Sequence, residues 1–553
     1  MPRVLAPGRA WTLAAAIAAA IATFVAMTEG TASNVLFTIA VIGVAAGLIT
    51  LLSRRILLST FIAAAMVALL SFIASLKQAT GVTLHAYDAV SLLTSWVALR
   101  GLWHSQGPHL ISVLVMLITV TGLACAIHRV DGSRVHRPYA FGGVALCAFL
   151  ALVTADAKEA RRHTGFYYEH RPLWFFFSSW SETVEALWRG HLLDAAAEGS
   201  GPMLTLPATC APASKPPHIV LIHQESVVPP SYFPSLRYDR TIDPFFHSYD
   251  GNLHKLRVET YGGASWLTEF SVLTGLSAFS LGSLHQFVQT IMAGKVRETL
   301  PQALARCGYR NVAFHPMLRI YLSIGSFLEA VGVHRLFDAK DQGAKSGMER
   351  DRFYYLSALA EMERHFTRST QPLFTFIETM ATHGPYSYTY MPEVVVSGGG
   401  PGTDPAMHEY LRRLSMARID YDFFRSELAR RFPGEPFLIV HYGDHQPVVT
   451  QALLGFAKDA DIEQVVASGN AAALITYYAV DAINYQAPPM PSLETLDVPY
   501  LPSVMLTSAR LPLSDTFRER LRLMMLCQGR YHGCSAIPGF HRRLIDSGIV
   551  DAW

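Results

Sequence analysis

Five apolar runs of membrane-spanning length crowd the start of the chain, and no other feature restricts its fold as much. They run Ala10–Met27, Asn34–Leu52, Ile56–Ser75, Leu110–Ile127 and Tyr139–Thr154, the last being the least apolar. A helix crossing a bilayer needs roughly 20 apolar residues. Taken alone, the first run would suit a signal peptide, but four more follow it, so a stem of helices is the better reading. Basic residues then set the direction. Arg3 and Arg9 precede the first run, Arg54 and Arg55 separate the second from the third, and Arg129, Arg134 and Arg137 separate the fourth from the fifth. The alternate loops are poor in Lys and Arg: one carries Glu29, the other only Lys77 and Arg100. Positively charged loops stay in the cytoplasm, so five crossings place everything after about Asp156 outside.

The rest of the composition agrees. Of 553 residues, 51% are hydrophobic and 16% charged, which is apolar for a soluble chain. A net charge of +2 without a basic block gives no reason to expect a nucleic-acid partner. Cys125 and Cys147 fall in the apolar runs, whereas Cys210, Cys307, Cys527 and Cys534 fall outside the membrane, where an oxidising compartment permits two disulfides. Cys527 and Cys534 are close enough to close a small loop and are expected to be bridged.

Three domains are expected: a transmembrane unit over 1–156, juxtamembrane helices and linker over 157–216, and an external domain over 217–553. Aromatics and scattered charge in the segment Phe166–Leu193 suit either the membrane interface or a plain connecting helix. The external domain alternates strand-like runs (His218–Ile222, Asn311–His315, Leu373–Glu378, Phe437–Tyr442) with helical patterns (Trp266–Leu276, Met407–Phe432), which predicts α/β with a mostly parallel sheet. The charges on Met407–Phe432 are expected to form a solvated face, and His223 and His441 to be plain strand residues.

Four strands end near a group that can bind metal or carry protons. Glu225 follows the first strand, His315 ends the second, His383 comes shortly after the third, and Asp444 and His445 follow the fourth. Ligands of open α/β sheets bind at that edge. The stretch "ETYGGASWLTEF" (Glu259–Phe270) adds Ser265 at a helix start behind Gly262 and Gly263. There it is either a helix cap or a nucleophile activated by a cation.

With these motifs in order behind five helices, the chain resembles the alkaline phosphatase/sulfatase superfamily. The similarity is to its membrane-anchored branch of lipoteichoic acid synthases and phosphoethanolamine transferases. "LIHQES" resembles the first metal motif, "GASWLTEF" the nucleophile motif, "TMATHGPY" a motif whose histidine contacts the phospho group, and "YGDHQP" the Gly-Asp-His ligand motif. The resemblance implies Glu225, Ser265, Asp444 and His445 as ligands of zinc or manganese, Ser265 as nucleophile, and His383 and His315 as catalytic groups. Departures are a serine where the branch usually has threonine, and no Trp and Arg at the glycerol-phosphate spacing after "FH" (Phe314–His315). The sulfatase formylglycine pattern is also missing.

The resemblance implies a multi-pass protein of the bacterial inner membrane with its catalytic domain on the periplasmic side. It would move a phospho-alcohol, phosphoethanolamine in preference to phosphoglycerol, from a membrane phospholipid to an envelope glycan or lipid. A phosphodiesterase or sulfatase-like hydrolase with the same site, and a non-catalytic envelope scaffold, are the rival expectations.

Overall fold

The computed structural model describes residues 4–78, 83–94, 96–155, 172–189, 191–199, 201–207, 209–212, 214–396, 404–457, 465 and 471–551. The start of the aromatic stretch (166–171) lies outside the described residues. The chain divides into two compact units, Met1–Arg189 and Gly190–Trp553.

In the first unit, all five apolar runs are helical: Pro7–Thr28, Ala32–Ser53, Ile56–Gln78, Trp96–Val130 and Arg137–Thr154. Each contains a span long and apolar enough to cross a membrane. Ile111, Leu114 and Ile118 on the fourth, and Phe149 and Leu152 on the fifth, are exposed; lipid tolerates such a surface and water does not. The fifth helix packs closely on the second. A Cβ added at Gly43 would meet Cys147 Sγ at 2.7 Å, and one at Gly47 would meet Val144 Cγ2 at 2.5 Å. The Gly43-x-x-x-Gly47 spacing lets the two backbones approach, as small residues do between helices in lipid.

Besides Ala86–Thr94, this unit contains two shorter helices, Pro172–Ser178 and Trp180–Arg189. The first is not a free interfacial segment: Leu173, Trp174 and Phe176 are buried. Glu29 caps it, accepting the Leu173 N–H at 3.2 Å and the Trp174 N–H at 2.9 Å. A carboxylate at a helix N-terminus satisfies amides that no helical carbonyl can reach. Trp188, on the second, is exposed.

The second unit carries one eight-stranded sheet. Its strands are β1 (His218–Gln224), β2 (His254–Arg257), β3 (Arg310–Phe314), β4 (Arg335–Phe337), β5 (Leu373–Glu378), β6 (Phe437–Gly443), β7 (Ile475–Ile483) and β8 (Thr495–Asp497). Their order is β4-β3-β5-β1-β6-β7-β2-β8. β1 lies between β5 and β6 and is parallel to both, while β7 runs antiparallel to β6 and β2. β1, β5 and β6 are buried along their whole length, as the unbroken apolar runs of a covered parallel sheet require. Helices Asp351–Phe366 and Pro405–Arg431 bury Tyr355, Leu359, Leu414 and Phe424 in one core with Val220, Ile222, Phe314 and Ile439 of the sheet.

The long helix is not simply a solvated face. Arg413 and Asp420 are fully buried, and Arg350 grips Asp420 through two bonds of 2.6 and 2.7 Å. The segment read as a linker is also partly built in: Asp194 N–H donates to the Ser280 carbonyl at 2.7 Å, and disulfides join Cys210 to Cys307 and Cys527 to Cys534.

Candidate metal and nucleophile site

The parallel order brings the ends of β1, β5 and β6 to one edge. β1 runs on into Glu225 and Ser226, and β6 into Asp444 and His445. Ser226 takes the left-handed conformation (φ 57°), which costs a non-glycine residue about 1–3 kcal/mol. In return its N–H donates to Asp444 Oδ1 at 2.7 Å and its hydroxyl to Glu225 Oε1 at 2.8 Å. The turn thus ties the two carboxylates together. Asp444 N–H donates to the Gln224 carbonyl, so the pair continues the β1–β6 ladder.

Ser265 arrives from the other side. Ala264 (φ 64°) precedes the helix Ser265–Thr274 and provides no side-chain cap. Ser265 is therefore the first helical residue and its hydroxyl is free of capping. It donates instead to Glu225 Oε2 at 2.9 Å. Gly262 (φ 69°), whose N–H donates to the Gln446 carbonyl at 2.9 Å, and Gly263 (φ 155°) supply the turn that swings Ser265 in. Thr268, one helical turn on, fastens the helix to the Asp444 carbonyl through a 2.8 Å bond.

His445 completes the group. Its Nε2 lies 3.4 Å from Glu225 Oε1 and 3.4 Å from Asp444 Oδ2. His223, expected to be an inert strand residue, also belongs here: its Nε2 is 3.2 Å from Asp444 Oδ2, and its Nδ1 meets the Tyr442 hydroxyl at 2.7 Å. His223, Glu225 and Asp444 place one donor atom each within 4.8 Å of one another. Alternation along β1 sends its side chain to the face opposite Ile222, and only the pairing with β6 shows that Asp444 waits there. His441 fits its expectation. It is buried with Nδ1 at 2.9 Å from the Tyr477 hydroxyl, and burial holds its pKa down at about 3.

These residues fit a divalent cation. Among the described residues, Asp444 Oδ2 and His445 Nε2 are buried with the ion-pair contacts above but no hydrogen bond, and such groups normally find one. Burial alone would raise the Glu225 carboxyl, but His445 and His383 hold it well below the usual range. Burial alone would lower His445, yet Asp444 and Glu225 raise it to about 9. The site thus gathers two buried carboxylates and two imidazoles, the oxygen and nitrogen donors that a divalent cation takes.

His383 follows β5 on a loop held against β1. The Thr382 hydroxyl donates to the Glu225 carbonyl, and His383 itself is half-buried. Arg413 fixes the loop from behind, donating to the His383, Pro385 and Tyr388 carbonyls at 2.6, 3.0 and 3.2 Å. His315 is not in this group. It is buried and paired with Glu378 at 2.8 Å. Glu259, near Ser265 in sequence, is structural: it accepts from the Ser271 hydroxyl at 2.8 Å and the Ala278 N–H at 2.7 Å.

Comparison with known proteins agrees with this architecture. Residues 218–479, all within the second unit, match the Sulfatase family model. An uncharacterized protein of Haemophilus influenzae is 24% identical over 253 residues, 43% of each chain. The chain therefore matches less than half the length of that relative. Among solved structures, the chain is similar to the Streptococcus pyogenes phosphoglycerol transferase GacH in complex with sn-glycerol-1-phosphate. That match has 16% identity, covers 61% of this chain and 87% of that one, and has a TM-score of 0.47. It is also similar to the integral membrane lipooligosaccharide phosphoethanolamine transferase A of Neisseria meningitidis. Here the identity is 12%, the coverage 92% of this chain and 99% of that one, and the TM-score 0.44.

Proposed function

We propose that this protein is a multi-pass membrane transferase that moves a phospho-alcohol from a phospholipid to an envelope glycan or lipid, through a covalent intermediate on Ser265. The observation that carries the proposal is the Ser265 hydroxyl at 2.9 Å from Glu225, within a buried, carboxylate-rich group at the sheet edge. Glu225, Ser265, Asp444 and His445 would hold zinc or manganese, with His223 against Asp444. Oxygen and nitrogen donors suit either ion. A cation bound there supplies Lewis acidity and lowers the pKa of the serine hydroxyl.

Ser265 Oγ gives up its proton toward Glu225 and attacks the phosphorus of the lipid diester. The P–O bond to diacylglycerol breaks, and the leaving oxygen takes a proton from His383. An acceptor hydroxyl then returns its proton to His383 and attacks the phosphorus, the bond to Ser265 breaks, and the serine oxygen takes its proton back from Glu225. His383 is the group for this traffic because it is half-buried, whereas His315 is closed off. The five apolar helices favour a lipid donor. Phosphoethanolamine is preferred to phosphoglycerol because "FHPMLRIYLSIGSF" lacks the Trp and Arg spacing.

The test is to incubate the purified full-length protein with labelled phosphatidylethanolamine or phosphatidylglycerol and measure the mass of the Ser265 peptide. A phosphoethanolamine adduct is expected. A glycerophosphate adduct would reverse the headgroup choice, and no adduct from either lipid would remove the transferase reading.

A further inference from the structure

A second buried constellation adjoins the first. Glu269, His315 and Glu378 each place a donor atom within 4.8 Å of the other two, and all three are buried, at 2, 2 and 6% exposure. Three independent pieces of the chain meet here. Glu378 ends β5, and its register partner on β1 is His223. His315 follows β3, the other neighbour of β5, and its N–H donates to the Phe337 carbonyl of β4 at 3.0 Å. Glu269 comes from the helix that begins at Ser265. The two are four residues apart and so share a helix face, Ser265 reaching Glu225 and Glu269 reaching this group.

A histidine–glutamate ion pair explains only part of this. His315 Nε2 and Glu378 Oε2 are 2.8 Å apart, and the Met317 N–H donates to His315 Nδ1 at 3.0 Å, so that Nε2 is the nitrogen turned to the cluster. Glu269 is left over. It is a second carboxylate against the first; Gln289 donates to its Oε2, and among the described residues its buried Oε1 has no hydrogen-bond partner. Burying such an oxygen costs on the order of 1–3 kcal/mol or more unless something answers it. One imidazole nitrogen and two carboxylates are the donor set of an open, charge-neutral site for a divalent transition ion. With bonds of about 2 Å, the donors around such an ion sit roughly 3.3 Å apart. The His315–Glu378 contact would open slightly and the widest separation would contract.

We infer that Glu269, His315 and Glu378 form a second divalent-cation site, beside the one at Glu225, Asp444 and His445 and distinct from it. Zinc is its best occupant, because one nitrogen and two oxygens in a dry setting match its ligand habits. The inference does not rest on the transferase reading and holds or fails on metal content alone.

The experiment uses the full-length protein in detergent, stripped with chelator, dialysed, and reloaded with zinc alone. Metal is counted by mass spectrometry, and a crystal of the loaded protein is measured at the zinc absorption edge. Two equivalents are expected, with anomalous peaks at both groups. Glu269→Gln should bind one equivalent and keep the peak at Asp444, and Asp444→Asn should lose that peak and keep the other. Unmodified protein with no anomalous peak at Glu269, His315 and Glu378 overturns the inference, whatever the occupancy of the other group. So does a Glu269→Gln protein that still binds two. The count and the map on unmodified protein need no variant to fold.

Discussion

Arg413 offers the sharpest test of how the His383 loop is held. Its guanidinium has no solvent exposure and lies 5.1–5.2 Å from the rings of Tyr386, Tyr388 and Tyr390. It donates to Glu409 Oε1 at 2.7 Å and to three loop carbonyls. Arg413→Met would keep the bulk and remove the charge and every one of those bonds. Glu409 would retain Arg412 and the Tyr390 N–H, at 2.9 and 2.8 Å, so its charge is not stranded. The three carbonyls would lose this donor. Breaking a buried ion pair from one side costs about 3–5 kcal/mol, and the retained partners of Glu409 argue for the lower half of that range. For a domain of this size each kcal/mol moves the melting temperature by roughly 2–4 °C, so a fall on the order of 10 °C is expected. Arg413→Lys should fall between, because an ammonium cannot span the same fork of acceptors. Thermal unfolding of the full-length protein measures this. A fall below about 2 °C for Arg413→Met would refute the idea that this cage fixes the loop.

Three further outcomes are expected. Ser265→Ala should lower turnover by several powers of ten, each about 1.4 kcal/mol of barrier, while thermal unfolding stays near normal; transfer close to normal would reduce Ser265 to a helix residue. Gly47→Ile should destabilise the packing of the second and fifth stem helices by about 1–3 kcal/mol, since its Cβ would meet Val144, whereas Gly143→Ala, with nothing within 4 Å of an added Cβ, should be silent in the same unfolding assay. Burial raises the Asp351 carboxyl to about 7, so its stabilising contribution is complete below its unfolded pKa of about 4 and is lost as pH rises through about 7. Asp351→Asn should therefore flatten the fall in stability across that window, and an unchanged slope would refute the assignment.

How much of this protein could be read from its sequence follows the range of the interactions involved. The apolar runs carry their own period and length, so the five stem helices were legible, although the fourth begins at Trp96, well before its apolar run. The strands β1, β3, β5 and β6 were legible for the same reason: a covered parallel strand is a continuous apolar run. Their carboxyl ends carried Glu225, Asp444 and His445, and topology alone directs such ends to one edge. The short strands β2, β4 and β8 and the antiparallel β7 were missed, because they are held by neighbours more than by their own pattern. Gly43 and Gly47 were a signal in plain sight whose partner, Val144 and Cys147, lies about a hundred residues away.

What only the tertiary structure decided is direction. His223 alternates with core residues of β1, and nothing local says that Asp444 stands opposite. Glu269 and Glu259 both flank Ser265 in sequence, yet one turns into a cluster with His315 and Glu378 while the other is tied to Ser271 and Ala278. Arg413 and Asp420 look like surface charges on a long amphipathic helix, and both are buried. The sequence by itself determined which segments are helix or strand and which residue types could do chemistry, because those follow from local period and side-chain type. The tertiary structure decided which of those groups face one another, because burial, pairing and the orientation of a carboxylate are set by chain segments that meet only on folding.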